Sequence, residues 1–238
     1  VFREPPRPCS YLSDRLASHD IRLLGDVSPA EYGELLARGW RRFGQTLFRP
    51  ACGTCDACMS VRIPVATFRA SRSQRRARRA AGRLIRGVGR PDVDDERVSL
   101  YARWHAERER RRGWERTPLS PADYAFEFGY PHPSAYEVSF REPTERQRLV
   151  GLGLVDAVPG ALSAVIFFWD PQYAPPSLGV AHVVMLVEQA AAEARRHVYL
   201  GYHVAGCASL AYKSRYLPHE ALCGRPRDAE PPLWTQSL

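Results

Sequence analysis

The sequence predicts an α+β fold in which a smaller N-terminal α+β unit precedes a larger unit with a mixed, mostly antiparallel sheet. Helix signals and strand-like runs alternate over the first part of the chain, and an arginine-rich stretch follows. From residue 134 onward, apolar runs of strand length dominate, interrupted by one Ala-rich helix. We therefore predict an N-terminal cysteine-containing domain at 1–70, a connection at 71–92 and a C-terminal domain at 93–238.

The N-terminal unit carries one clear helix and several strands. Ser28-Pro29-Ala30-Glu31 has the spacing of a capping box with proline in the first turn, and Gly39 ends the helix. Residues 40–48 predict a strand or hairpin. A further strand is expected over 61–65, and Pro64 places it at a sheet edge because proline has no N–H to donate.

The connection is marked by nine arginines between residues 69 and 90. Ser71-Arg72-Ser73-Gln74 predicts the start of a short helix over about 73–86, and a second helix is expected over about 94–112. Several arginines on one helical stretch can follow a phosphate backbone, so this stretch is a candidate for nucleic-acid binding. A basic linker without a ligand is the alternative. The candidate side chains are Arg72, Arg75, Arg76, Arg79 and Arg83.

The C-terminal domain is predicted to contain four strands and one helix in its core. The strands are expected at 135–140, 149–155, 161–169 and 197–202, with a turn at 158–160, a Pro-rich loop at 171–176 and a helix at about 180–196. Three antiparallel strands, a loop, a helix and a returning strand form the core order of an acyltransferase fold of the GNAT type.

Composition limits the class of protein. The 238 residues have a net charge of +8, and 33 of the 34 basic residues are arginine, with Lys213 as the one lysine. The positive surplus suggests a polyanionic partner, whereas a GC-rich genome would explain the preference for arginine over lysine. Neither an apolar run of about 20 residues nor a signal-peptide core is apparent. We expect a soluble cytoplasmic protein with no membrane partner.

Four of the six cysteines form a candidate metal site. Cys52, Cys55 and Cys58 are three residues apart, and Cys9 is distant in sequence. Four thiolates would bind Zn²⁺ or an iron–sulfur cluster, and reduced thiols without a metal are the alternative.

Two groups of short motifs cover almost the whole chain. The N-terminal group consists of Cys9–Leu12, Gly39–Gly44, Phe48–Cys58, Val61–Val65 and Ser71–Arg76. The C-terminal group consists of Ser177–Gly179, Tyr199–Val204, Cys207, Tyr212–Lys213 and Tyr216–Glu220. Together they resemble the signature regions of the arginyl-tRNA–protein transferase family. The length and the Cys-x-x-Cys-Asp-Ala-Cys form resemble its short bacterial branch, the aspartate/glutamate leucyltransferases. His203, where the family usually has tyrosine, and residues 208–211 depart from the pattern.

The resemblance implies an aminoacyltransferase. The α-amine of a protein with N-terminal Asp or Glu would attack the ester of an aminoacyl-tRNA, and the product would be marked for degradation. The ester is already activated, so no organic cofactor is required. Leucyl and arginyl transfer remain open, and the sequence specifies no oligomeric state.

The alternative functions are a CoA-dependent N-acetyltransferase and a zinc-knuckle RNA-binding protein. A CoA-dependent enzyme requires a Gly-rich loop that binds the pyrophosphate at the start of a helix, and this chain has only Ser177–Gly179 at that position.

The candidate catalytic residues lie near the last core strand. Lys213 would assist electrostatically at the ester carbonyl or the tRNA 3′ end, because a position that any basic residue could fill would be arginine in this chain. Tyr202 and Tyr212 would hydrogen-bond the amine or ribose, and His203 would act as a base. The alternatives are a solvated lysine, packing tyrosines and a structural histidine.

The candidate substrate-binding residues are charged or small. Arg41, Arg42 and Arg49 lie in an aromatic-flanked segment, and a guanidinium can bind a carboxylate in a bidentate manner, so they are candidates to read an acidic acceptor. Surface salt bridges are the alternative. Ser177 and Gly179, at the start of the Ala-rich helix, are the further candidates.

Overall fold

The computed structural model describes residues 1–112, 118, 120–173, 175 and 177–237. The strands within them are β1 (Phe2–Arg3), β2 (Arg7–Pro8), β3 (Leu16–Ala17), β4 (His19–Leu23), β5 (Arg41–Phe43), β6 (Thr46–Pro50), β7 (Met59–Pro64), β8 (Ile85–Gly89), β9 (Ala135–Arg141), β10 (Leu149–Val158), β11 (Ala161–Trp169), β12 (His197–His203), β13 (His219–Leu222) and β14 (Trp234–Ser237). The helices are α1 (Pro29–Ala37), α2 (Arg72–Ala81), α3 (Asp95–Arg112), α4 (Pro121–Phe128), α5 (Leu178–Ala192) and α6 (Ala208–Ala211), followed by a 3₁₀ helix at Tyr212–Arg215.

The elements group into two compact units that are discontinuous in sequence. The first unit comprises residues 1–69, 158–163 and 189–238, and the second comprises 70–157 and 164–188. The domains predicted from the sequence are continuous stretches, whereas these units are not. The last 50 residues belong with the N-terminal residues because strands from both ends of the chain pair with one another.

In the first unit, a strand from the N-terminal region lies between two strands from the C-terminal region. β7 pairs antiparallel with β12 on one side and with β13 on the other, and β14 pairs antiparallel with β13. The first residues of β11, Ala161–Ser163, pair parallel with β12. The sheet is mixed and mostly antiparallel, as predicted.

A second sheet of the first unit contains β1, β4, β6 and β5 in that order. The predicted helix is confirmed as α1, where the Ser28 side chain accepts from the Glu31 N–H and the Glu31 carboxylate accepts from Ser28. Gly39 ends it with φ at +86°. The predicted hairpin is confirmed as β5 and β6. Trp40, between helix and hairpin, is fully buried.

The second unit contains β11, β10, β9 and β8 as sheet neighbours in that order. β10 pairs antiparallel with β9, and β9 with β8. Aromatic side chains from α3, α4 and β11 pack together beside this sheet: Tyr101, Trp104, Tyr124, Phe128 and Phe168. In chain order, β9, β10, β11, α5 and β12 reproduce the succession on which the acyltransferase prediction rested. No helix in the part of the chain that the structure describes is long and apolar enough to cross a membrane.

Several sequence predictions differ from the structure. Pro64 does not place its strand at an edge, because β7 has a neighbour on both sides. Pro64 is instead the last residue of β7, and β13 pairs only with the preceding positions 61 and 62, so its missing N–H interrupts no ladder there. The helix predicted to reach residue 86 ends at Ala81, and residues 85–89 form β8. Within the predicted Pro-rich loop, residues 174 and 176 lie outside the described residues.

Candidate active site

Lys213 lies in the 3₁₀ helix and is buried, with 8% of its surface exposed. Its Nζ donates a hydrogen bond of 2.8 Å to the main-chain oxygen of Tyr202, the second-last residue of strand β12. Burial, followed by the nearby positive charge of Arg41, lowers the pKa of Lys213 to about 7. An amine with this pKa is present in both its neutral and its charged form near neutral pH.

Gly201 provides the space beside this lysine. It has φ of +83° and lies where the register between β12 and β7 shifts. A Cβ at this position would lie 3.3 Å from the Nζ of Lys213 and 3.8 Å from the Nε of Arg41. Two buried basic side chains therefore approach the same point of the backbone. Sequence analysis did not single out Gly201, although a glycine inside a strand signals a bulge or a close approach.

Arg41 is a buried cation on β5. Its Nη2 donates to Ser60 Oγ at 2.6 Å and its Nη1 to the main-chain oxygen of Trp40 at 3.3 Å. The guanidinium lies over the rings of Tyr199 and Tyr202, 5.2 and 5.8 Å from their centroids. Its Nε has no hydrogen-bond partner among the described residues. Burial lowers the pKa of this guanidinium.

The other two candidate arginines differ from Arg41 in their surroundings. Arg42 is also buried, and its Nη1 donates to the main-chain oxygen of Gly44 at 3.0 Å, inside the hairpin turn. Arg49 is partly buried, lies 4.7 Å from the ring centroid of Trp40 and is 3.4 Å from a carboxylate oxygen of Asp20. Arg49 also lines a small cavity. Arg41 and Arg42 are not among the described residues that line this cavity.

Tyr202 is buried and links two parts of the first unit. Its hydroxyl donates to the main-chain oxygen of Gly39 at 2.7 Å and lies 3.2 Å from that of Phe48. Burial raises its pKa, so the phenol stays neutral. The hydroxyl thus contacts the backbone around the hairpin, and the main-chain oxygen of the same residue contacts Lys213.

The remaining catalytic candidates lie farther along the same segment. His203 is the last residue of β12, is partly buried, and pairs in register with Met59. Tyr212 precedes Lys213 and is 40% exposed, with its ring 6.4 Å from that of Tyr216. Of the four candidates, the structure brings Lys213 and Tyr202 into direct contact.

The four candidate metal-binding cysteines line one cavity of about 280 Å³, whose other walls combine apolar and charged side chains. The four are Cys9, Cys52, Cys55 and Cys58. Burial, followed by the neighbouring cysteines, raises the pKa of the Cys58 thiol to about 12. Four thiols suit Zn²⁺ or an iron–sulfur cluster in kind. In the described part of the chain, however, no group of three or more metal-ligating side chains is positioned to hold an ion. A bound metal therefore remains a prediction.

The second unit carries the other candidates. Ser71 and Gln74 form the predicted capping box of α2, and Gln74, Ala77 and Ala81 form its buried face. The five predicted nucleic-acid-binding arginines are all exposed. Before α5, Ser177 is exposed and has φ of +71°. A Cβ at Gly179 would lie 3.3 Å from the ring of Phe167, so this glycine permits close packing of α5.

Comparison with known proteins identifies the class of protein. Residues 7–76 match the profile of the N-terminal region of arginine-tRNA-protein transferase, and residues 96–223 match that of its C-terminal region. The chain therefore belongs to the arginine-tRNA-protein transferase family, whose members are aminoacyltransferases. The resemblance seen in the sequence motifs is confirmed. This membership favours aminoacyl transfer over the CoA-dependent and purely RNA-binding alternatives.

Curated relatives within the family are leucyltransferases. The chain is 31% identical to the aspartate/glutamate leucyltransferase of Helicobacter hepaticus, over 98% of this chain and 96% of the relative. It is 37% identical to that of Chromobacterium violaceum, over 94% and 90%. Among solved structures, L-PGS from Bacillus licheniformis is similar with a TM-score of 0.46 and 13% identity, over 61% of this chain and 45% of that one.

Proposed function

We propose that this protein transfers leucine from Leu-tRNA to the N-terminal Asp or Glu of proteins in the cytoplasm and thereby marks them for degradation. Two relatives, 31% and 37% identical over more than 90% of the chain, are aspartate/glutamate leucyltransferases, which supports the donor and the acceptor. The structural observation that carries the proposal is the one lysine of the chain, buried beside Gly201 with a pKa lowered to about 7.

The reaction requires a neutral nucleophile and a proton acceptor. The acceptor's α-amine, whose ordinary pKa is about 7.7–8.0, attacks the ester carbonyl carbon, and a C–N bond forms. The C–O bond to the tRNA ribose then breaks, and the ribose oxygen leaves as a hydroxyl. One proton therefore moves from the amine nitrogen to the ribose oxygen. No redox step and no organic cofactor enter this balance.

Lys213 is suited to carry that proton. In its neutral form its Nζ can accept the proton of the attacking amine, and in its charged form it can donate to the leaving ribose oxygen. The hydrogen bond from Lys213 Nζ to the main-chain oxygen of Tyr202 orients the lysine side chain. The proposed role is thus broader than the electrostatic assistance expected from the sequence, because burial keeps both protonation states accessible.

The exposed face of α2 is the proposed tRNA contact. Arg72, Arg76, Arg79 and Arg83 are exposed and have neither an ion pair nor a side-chain hydrogen bond among the described residues. Arg75 donates to the main-chain oxygen of Ala70. Unpaired guanidinium groups can neutralise phosphates directly, since no internal carboxylate has to be released first. The four thiols are proposed to hold zinc or an iron–sulfur cluster, with no step of the transfer depending on them.

The proposal is tested with purified protein, labelled Leu-tRNA or Arg-tRNA, and peptides that begin with Asp, Glu or Ala. We expect transfer of leucine to the Asp and Glu peptides, and its loss in Lys213→Met. Arg227→Met, at an exposed arginine paired with Glu230, is the matched control and should transfer normally. Transfer from Arg-tRNA alone would reverse the donor assignment, and no transfer from either donor would refute the enzymatic proposal. Metal analysis and visible absorbance of the same preparation report on the cysteines.

A further inference from the structure

A small cavity of the first unit is lined by three arginines. Arg38, Arg49 and Arg225 face a space of about 20 Å³, together with Ser60 and Tyr202. Among the described residues that line it, none is Asp or Glu. A space of this volume holds about one water molecule, so a carboxylate would place only its terminal oxygen atoms in it.

The guanidinium of Arg38 is only partly satisfied. Its Nη1 donates to the main-chain oxygen of Glu34 at 3.0 Å and to the carboxylate of the same residue at 2.8 Å. That carboxylate is 76% exposed, so solvent screens the pair. The Nε of Arg38 is buried and has no partner among the described residues. A buried donor without a partner is costly, so an acceptor brought within its reach would be stabilising.

The other two arginines also bring positive charge that the fold does not fully neutralise. Arg225 donates to the main-chain oxygens of Cys52, at 2.9 Å, and of Cys55, and both of these acceptors are uncharged. Arg49 lies 3.4 Å from Asp20, but Arg3 holds the same carboxylate at the shorter distance of 2.8 Å. The cavity therefore carries a surplus of positive charge.

We infer that this cavity binds the side-chain carboxylate of the acceptor's N-terminal Asp or Glu, with Arg38 and Arg225 acting beside Arg49. The inference rests on the proposed function, and it assigns two arginines that the sequence motifs did not single out. Tyr202 connects the cavity to the candidate catalytic lysine: its side chain lines the cavity, and its main-chain oxygen accepts the hydrogen bond from Lys213.

The closing experiment separates binding from transfer. Fluorescent peptides that begin with Asp, or with its uncharged isostere Asn, are titrated without tRNA into the wild type, Arg38→Gln, Arg225→Gln and the control Arg227→Gln. We expect each of the first two variants to weaken binding of the Asp peptide about tenfold or more while leaving that of the Asn peptide unchanged. Transfer from Leu-tRNA should show the same rise in KM with little change in kcat. Because Arg225 also holds the cysteine loop, Arg38→Gln, checked by its unfolding curve, decides the test if Arg225→Gln does not fold.

The outcomes distinguish the inference from the proposed function. If the wild type transfers leucine and prefers Asp over Asn, but Arg38→Gln keeps that preference, the cavity is not the reader and the function stands. If the wild type binds the Asp peptide through these arginines but transfers nothing, the function fails and the carboxylate site stands. A preference lost equally in Arg227→Gln would overturn the site, because general surface charge would then explain it.

Discussion

Replacing Lys213 with methionine removes an amine whose charge the fold disfavours and leaves an unbranched side chain that is one atom shorter. Burial lowers the pKa of Lys213 from 10.5 to about 7. One pKa unit corresponds to ~1.36 kcal/mol, so the folded state is destabilised by about 5 kcal/mol at pH 6 and by about 2 kcal/mol at pH 9. A folded-state pKa below the unfolded value means that stability is greatest above pH 10.5, falls progressively as the pH drops from 10.5 to about 7, and changes little below that.

The difference in unfolding free energy between Lys213→Met and the wild type should therefore shift in favour of the variant by about 2–3 kcal/mol between pH 9 and pH 6. Loss of the hydrogen bond to the Tyr202 main-chain oxygen adds a penalty of about 1 kcal/mol that does not depend on pH. Urea unfolding at the two pH values measures the shift, and Arg227→Met provides a control in which the difference should stay flat.

The unique lysine also allows a direct measurement. Protein labelled with ¹³C-lysine contains one lysine side chain, and the chemical shift of its Cε reports the protonation of Lys213. We expect a midpoint near pH 7. A midpoint near 10, or an unfolding difference that changes by less than about 0.5 kcal/mol between the two pH values, would refute the assignment of a desolvated amine.

Three further perturbations test other parts of the structure. Gly201→Ala places a Cβ 3.3 Å from Lys213 Nζ at a residue with a positive φ. We expect it to lower the unfolding free energy by about 1–2 kcal/mol and to reduce the transfer rate at least tenfold, and wild-type values in both assays would contradict the close approach. Arg76→Gln and Arg79→Gln should each reduce the salt dependence of tRNA binding by about one unit of slope without changing stability, and an unchanged slope would remove α2 from the interface. Burial lowers the pKa of His182 to about 3, so the unfolding free energy of His182→Leu relative to the wild type should rise by ~3 kcal/mol as the pH falls from 7 to 4. Equal loss of stability in the two proteins over this pH range would argue against a buried neutral imidazole.

Local signals predicted much of the secondary structure. The capping boxes at Ser28 and Ser71 each begin a helix, since one serine and one side chain three residues later satisfy the first free N–H groups of the helix. The turn at 158–160 joins two strands as expected, with Gly160 at a φ of +72°. The predicted end of the arginine-rich helix was wrong by about five residues, because pairing with β9 turns residues 85–89 into a strand.

The candidate site was predicted only in part. Lys213 and Tyr202 were named from the motifs, and the structure joins them through one hydrogen bond. The crowding at Gly201 and the cavity formed with Arg38 and Arg225 were missed. These residues are far apart in sequence, and a single amino-acid sequence contains no signal that tells which distant side chains line the same cavity.

By itself, the sequence indicated the family, the succession β9, β10, β11, α5 and β12, and the arginine-rich helix α2. The helices and strands among these depend on residues within one or two turns of each other, whose hydrogen bonds and apolar spacing are local, and the family is indicated by short motifs along the chain. Only the tertiary structure decided that β7 lies between β12 and β13, so that both ends of the chain share one sheet. The burial of Lys213 against Gly201 and Arg41 likewise exists only once that sheet is formed, because desolvation of an amine depends on the neighbours that exclude water from it.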